Sequence, residues 1–321
     1  MNPYIGHESQ LYGVEEVRLV GGKGDGMRLF QVRNGKGLEF TVSADRCADI
    51  TRLSFKGDNY SFISPCGYVA PAYYDDQGVN WLQSFTAGFV TTCGLSAVGN
   101  PCVDDGESTS LHGTAGNIPA ERIYWDEDED SIWIKAVIRE ARIFERKLKL
   151  TRTITVSKKE NVLTLKDCIE NEGDAPSPLM VLYHMNMGYP LLSETSELYI
   201  PAQIVTPRNE HSAKDLDTWA KMLPPTPGFE EQCYSHTFEK EAKASIYNPD
   251  INKGLTISFD KDVLDHLTEW KLMGYRDYVL GLEPSNCALV GRAALRKSGE
   301  LKFLKPGQKQ TYVVKVELTE K

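Results

Sequence analysis

Ile132-Trp133-Ile134-Lys135-Ala136-Val137 opens a run, continued through residues 148–156 and 162–169, in which apolar and polar side chains alternate with a period of two. That period places alternate residues on opposite faces of a strand, so the run predicts long antiparallel strands with one face on a core. A polar turn at 157–161 separates the second strand from the third. The acidic run 126–130, lying between Trp125 and Trp133, reads as a solvated hairpin, because it lacks the glycine and terminal glutamate of a calcium loop.

Working outward, residues 14–63 fall into short alternating segments at 16–20, 27–33, 38–43, 50–55 and 60–63, the pattern of a β-meander. Gly21-Gly22-Lys23-Gly24-Asp25-Gly26 is glycine-rich, but no Ser or Thr follows the lysine and no helix follows the loop. It reads as a hairpin turn rather than a phosphate loop. Towards the C-terminus, strands are expected at 244–247, 255–259, 267–272, 278–282, 301–303 and 311–318, with Pro306-Gly307 as the last turn. Helix is scarce, confined to a short segment around Trp81 and another at 216–222. With no compositional break and no repeat, the chain is expected to form one domain over residues 1–321, an all-β, large antiparallel β-sandwich.

Composition narrows the partners. The 321 residues are 41% hydrophobic and 25% charged, with a formal net charge of -9. Such a chain has no basic field for a phosphate backbone or an anionic membrane surface, so neither nucleic acid nor membrane is an expected partner. The N-terminal Met-Asn-Pro-Tyr-Ile-Gly-His-Glu lacks the basic start and apolar run of a signal peptide, and a cytoplasmic protein is expected. The seven scattered cysteines contain no Cys-x-x-Cys pair and read as reduced thiols rather than a disulfide frame or zinc site.

Candidate chemistry starts at Tyr278-Val-Leu-Gly-Leu-Glu283-Pro-Ser-Asn286, an apolar strand that ends on one carboxylate with no neighbouring cation in sequence. A buried carboxylate is costly unless it is paired, hydrogen-bonded or used. A parallel stretch, Leu179-Met-Val-Leu-Tyr-His184-Met-Asn186-Met-Gly188, turns polar at His184 and Asn186. His112 is set among glycines at the end of a long Gly/Ser/Pro/Asp loop, and long loops in compact proteins often carry function. Arg46, in Ala44-Asp45-Arg46-Cys47-Ala48-Asp49-Ile50, is either one half of a surface ion pair or a guanidinium fork for ligand oxygens. Trp270 is either core or an apolar platform for a sugar ring. No local His pair suggests a metal, and no cofactor is expected.

Taken in order, Asp45-Arg46-x-x-Asp49-Ile50, Thr91-Thr-Cys-Gly-Leu95, Leu111-His112-Gly113, Tyr183-His184-Met-Asn186, Gly281-Leu-Glu283-Pro-Ser-Asn286 and Leu304-Lys-Pro-Gly-Gln308 resemble the aldose 1-epimerase (galactose mutarotase) superfamily. The likeness is greatest to its less characterised branch of aldose-1-epimerase-like bacterial proteins, and it runs from about Arg46 to the C-terminus. It implies a galactose-mutarotase-like super-sandwich with an open sugar cleft on one sheet. It further implies Glu283 as general base, His184 as general acid, and His112 and Arg46 as ligands of sugar oxygens, with Asn186 beside the acid as a further substrate contact. One departure is clear: the family's His-x-Tyr-Phe-Asn-Leu is here His184-Met-Asn-Met-Gly. The family's sugar-binding aspartate has no certain match, and the polar loop 206–210 supplies the candidates.

The expected activity is therefore that of an isomerase interconverting α and β anomers of a sugar, by ring opening between a base and an acid with neither metal nor nucleotide. On this reading Glu283 is ionised near neutrality and His184 protonated. The alternative is a non-catalytic carbohydrate-binding or sensing protein on the same fold. A glycoside hydrolase is a further rival, but it would call for a second carboxylate that the sequence does not supply.

Overall fold

The alternation translates into register. In the computed structural model, which describes residues 3–321, the strands Ser131–Ala141, Lys147–Ser157 and Val162–Asn171 pair antiparallel over nearly their full lengths. They form the middle of an eight-stranded sheet that continues through Lys309–Glu320, Lys253–Phe259, Ala242–Asn248 and Glu197–Tyr199 on one side and ends at Arg122–Glu127 on the other. Ile132, Ile134, Ala136 and Ile138 point inward, as do Leu148, Leu150, Ile154 and Val156. The N-terminal meander forms a five-stranded sheet whose last four strands are Arg28–Arg33, Leu38–Ser43, Asp49–Phe55 and Asp58–Asn59, with the 21–26 turn joining the first strand, Gly13–Arg18, to the second. Met1 and Asn2, the start of the N-terminal segment read above, lie outside the described residues.

The third large sheet has six strands in the order Ile204–Pro207, Gln232–Thr237, His266–Met273, Tyr278–Ser285, Met180–Met187 and Val90–Leu95. One apolar cluster draws on all three sheets, from Phe30 and Leu53 through Ile134 and Leu150 to Met185 and Leu282, giving the expected antiparallel β-sandwich. Segments of this architecture not expected from sequence include the edge strands Glu197–Tyr199 and Ile204–Pro207, the strand Gln232–Thr237 and the helix Arg292–Ser298. The long loop after Leu95 also carries a small hairpin, Cys102–Asp104 with Glu107–Thr109. All seven cysteines are free. Among the described residues no helix is long and apolar enough to cross a membrane.

The inward files are not apolar throughout. Arg152 stands between Leu150 and Ile154, directly across from Asp167, and its side chain is fully buried. Its Nε and Nη2 donate to the two oxygens of Asp167 at 2.9 and 2.7 Å, and Nη1 donates to Asp49 Oδ1 at 2.6 Å and to the Cys47 carbonyl at 3.0 Å. Nη2 also reaches Thr92 Oγ1 at 2.7 Å, and Tyr183 Oη donates to Asp167 at 2.9 Å. This guanidinium therefore links all three sheets. Removing one member of such a buried network strands the others, at a cost of roughly 3–5 kcal/mol. Arg152→Met is expected to lower the unfolding free energy by about that amount in urea denaturation; an unchanged midpoint and slope would show that the network does not hold the sheets together.

Candidate active site

The strands Met180–Met187 and Tyr278–Ser285 are neighbours, with Met185 opposite Leu282 and Leu182 opposite Ser285. That register brackets His184 and Glu283, setting them side by side on the sheet face turned away from the main core. His184 Nδ1 and Glu283 Oε1 are 3.2 Å apart, both almost wholly buried. They approach off line for a hydrogen bond, so neither atom has a partner.

His112 arrives from the loop. Its φ of 57° is in the left-handed region, unusual for a residue with a side chain. The strain is held by backbone bonds on both sides, from His112 N–H to the Gly99 carbonyl and from Gly94 N–H to the His112 carbonyl, each 3.0 Å. Gly113 beside it has no room for a Cβ, which would run into the Gly94 and Ala97 carbonyls. The two imidazoles meet edge to face at 5.6 Å, and His112 Nδ1 is likewise buried without a partner. Aromatic rings box them in: Phe85 and Trp270 lie 5.1 and 5.2 Å from His184, and Trp81 lies 5.1 Å from His112. Trp270 is thus at the cavity rather than in the core.

These groups line a cavity of about 440 Å³. At its mouth stand Arg208 and Glu231, which sequence reading did not single out as a pair, together with Asn100 and Asp277. Glu231 accepts the Trp270 indole N–H at 2.8 Å and lies 3.7 Å from Arg208, whose other amino group donates to Asn100 Oδ1 at 3.3 Å. Arg208 falls in the polar loop flagged at 206–210. Glu231 precedes the unanticipated Gln232–Thr237 strand, and no motif marked it.

Two expected ligand contacts are not at the cavity. Arg46 is buried and donates to three backbone carbonyls, Gly116 from Nε at 2.6 Å and Val69 and Ser84 from Nη1 at 2.8 and 3.0 Å. Its fork is spent on tying loops together, including the one that carries Phe85. Asn186 is also buried, its amide donating to the carbonyls of Gly88 at 3.0 Å and His184 at 2.9 Å. It braces the strand beneath His184 instead of facing a ligand.

Burial also reverses the expected charge states. It lowers the pKa of His184 to about 4, against the opposing influence of Asn186, and that of His112 to about 3, helped by the neighbouring His184 and Arg208. It raises Glu283 well above the ordinary carboxyl range; Glu231 adds to the rise and Arg208 opposes it. Burial thus favours a neutral imidazole beside a protonated carboxyl. Since the folded-state pKa values of both histidines are depressed, their contribution to stability is present above their usual 6.5 and is lost as the pH falls towards about 4. Glu283, with a raised pKa, works oppositely and weakens the fold as the pH rises. Side-chain 15N NMR at pH 6 is expected to find the rings of His112 and His184 neutral, and an imidazolium signal from either would contradict this electrostatic picture.

Residues 24–318 match the model of a family described as "Domain of unknown function (DUF4432)". No curated protein matches the chain in sequence. A structure from Klebsiella pneumoniae, provisionally named an aldose 1-epimerase, superposes with a TM-score of 0.90 at 27% identity, over 98% of this chain and 86% of that one. A galactose mutarotase-like protein from Clostridium acetobutylicum gives a TM-score of 0.68 at 14% identity, over 97% of this chain and 100% of that one. The galactose 1-epimerase of Lactobacillus acidophilus gives 0.65 at 13% identity, over 96% and 99%. By its sequence the chain belongs to the DUF4432 family, and its fold is similar to that of aldose 1-epimerase and galactose mutarotase-like proteins.

Proposed function

We propose that the protein is an aldose 1-epimerase-like isomerase that interconverts the α and β anomers of a sugar in the His184–Glu283 cavity. One observation carries the reading: a buried imidazole and a buried carboxyl 3.2 Å apart that both line one cavity. The two reacting oxygens of a hemiacetal, the anomeric hydroxyl and the ring oxygen, are bonded to the same carbon. Groups that lie this close can address both at once.

The proposed step opens the ring. Glu283, in its ionised form with His184 protonated, takes the proton of the anomeric hydroxyl, and His184 gives its proton to the ring oxygen as the bond from that oxygen to the anomeric carbon breaks. The aldehyde then turns about its first carbon–carbon bond, and closure on the other face returns both protons. Loss of the carboxyl proton from Glu283 and protonation of His184 set the pair for this direction. His112, which lines the cavity, offers its imidazole to a sugar oxygen, and the Trp270 indole offers a flat apolar wall to a ring face.

Solved relatives named as a galactose 1-epimerase and as galactose mutarotase-like proteins support the reading at the level of fold. The hydrolase rival gains a carboxylate it lacked in sequence, because Glu231 and Asp277 reach the cavity mouth. Glu231, however, is half exposed and holds the Trp270 N–H, whereas the buried pair is a carboxyl and an imidazole. Glu283→Gln is expected to slow anomer exchange by about 10²–10⁴-fold while leaving sugar affinity, read by calorimetry, within a few fold. Equal exchange by the variant and the parent would defeat the catalytic assignment; sugar affinity with no exchange in the parent would instead favour the binding or sensing alternative.

A further inference from the structure

We infer that Gly281 is a positioning residue of this site, a bare stretch of backbone on which both the Glu283 carboxyl and the Trp270 indole are seated; the inference rests on the reading of the cavity as a sugar-isomerising site. Gly281 is in the middle of the Tyr278–Ser285 strand and is directly paired with Trp270 on one side and Asn186 on the other. Glycine weakens the interior of a strand, and where it occurs there it marks a bulge, a bend or a close approach. Its backbone angle is not in the left-handed region, so the main chain itself does not demand glycine here. The demand comes from side chains.

A Cβ built on residue 281 overlaps Glu283 Oε1 and lies 3.1 Å from Trp270 Cβ and 3.2 Å from Trp270 Cε3. Residues 281 and 283 share a face because strand side chains repeat every second residue. Glu283 thus lies back along its own strand into the space left by the missing side chain, and the indole covers the same space from the neighbouring strand. From that seat Oε1 meets His184 Nδ1 at 3.2 Å. Trp270 is held at its far end by the bond from its N–H to Glu231, so it has little freedom to yield. The carboxyl is the end of a flexible side chain. A methyl group at 281 displaces it first, out of the position from which Oε1 meets His184, while the sugar-binding walls stay in place.

Misplacing a reacting group by about 1 Å can cost on the order of 10²-fold in rate. Gly281→Ala is accordingly expected to lower the turnover of anomer exchange about 10²-fold with sugar affinity changed only a few fold. Coupling is read from the double variant. Glu283→Asp removes the methylene that carries the carboxyl back over residue 281, so Gly281→Ala on top of Glu283→Asp should cost almost nothing further. If Gly281→Ala alone does not fold, the Glu283→Asp partner is expected to restore folding, seen as a recovered thermal transition. Full exchange by Gly281→Ala, losses that multiply in the double variant, or a double variant that also fails to fold would each overturn the inference. Should the parent protein exchange no anomers, the isomerase reading falls, and the recovery of thermal stability by Glu283→Asp still decides whether Gly281 seats that side chain.

Discussion

A single guanidinium, that of Arg152, sets the geometry on which the rest depends. It is buried among Asp49, Asp167 and Thr92, and Tyr183 completes the set by donating to Asp167. Thr92 and Tyr183 are directly paired across adjacent strands of the six-stranded sheet, and the next pair along is Thr91 with His184. Strand side chains alternate faces, so anchoring Tyr183 on the core side obliges His184 to face the cavity. A slip of one residue would exchange the two. The ion cluster on one face of the sheet and the proposed acid–base pair on the other are thus two consequences of one register.

The two buried polar groups differ in how far they are compensated. Around Arg152, two carboxylates, a hydroxyl and a carbonyl take up the charge, and the Asp167 carboxylate holds the guanidinium firmly in its charged form against the effect of burial. Around His184 and Glu283 such partners are missing, and burial pushes the imidazole and the carboxyl towards their neutral forms. Polar atoms left unpaired inside a well-packed protein ask for an explanation, and groups with strongly displaced protonation equilibria gather where chemistry is done.

Much of this was legible in the sequence because it depends on short-range pattern. Period-two alternation located the long strands, and the abrupt polar ends of two apolar strands pointed to His184 and Glu283. Arg46 and Asn186 misled because a polar residue in a motif looks the same whether it faces a ligand or a backbone carbonyl; only the packed loops show Arg46 donating to Gly116, Val69 and Ser84. Arg208 and Glu231 come from a loop and a strand start that are brought to the mouth by tertiary packing, with no periodic signal of their own. The charge states were misjudged because solution values ignore burial. The Arg152 network did leave a trace, an arginine and an aspartate at inward positions of otherwise apolar files, Leu150-x-Arg152-x-Ile154 and Leu165-x-Asp167-x-Ile169.

What the fold positions, in the end, is a carboxyl 3.2 Å from an imidazole at a cavity of a size for small molecules. The most direct measurement is two-dimensional exchange NMR on a panel of free aldoses at equilibrium, with the intact protein added in catalytic amount. Cross-peaks between the α and β anomeric protons of at least one sugar, at a rate well above the spontaneous one, are expected. Spontaneous rates across the whole panel, including for sugars that the protein measurably binds, would contradict the proposal that this pair opens a sugar ring.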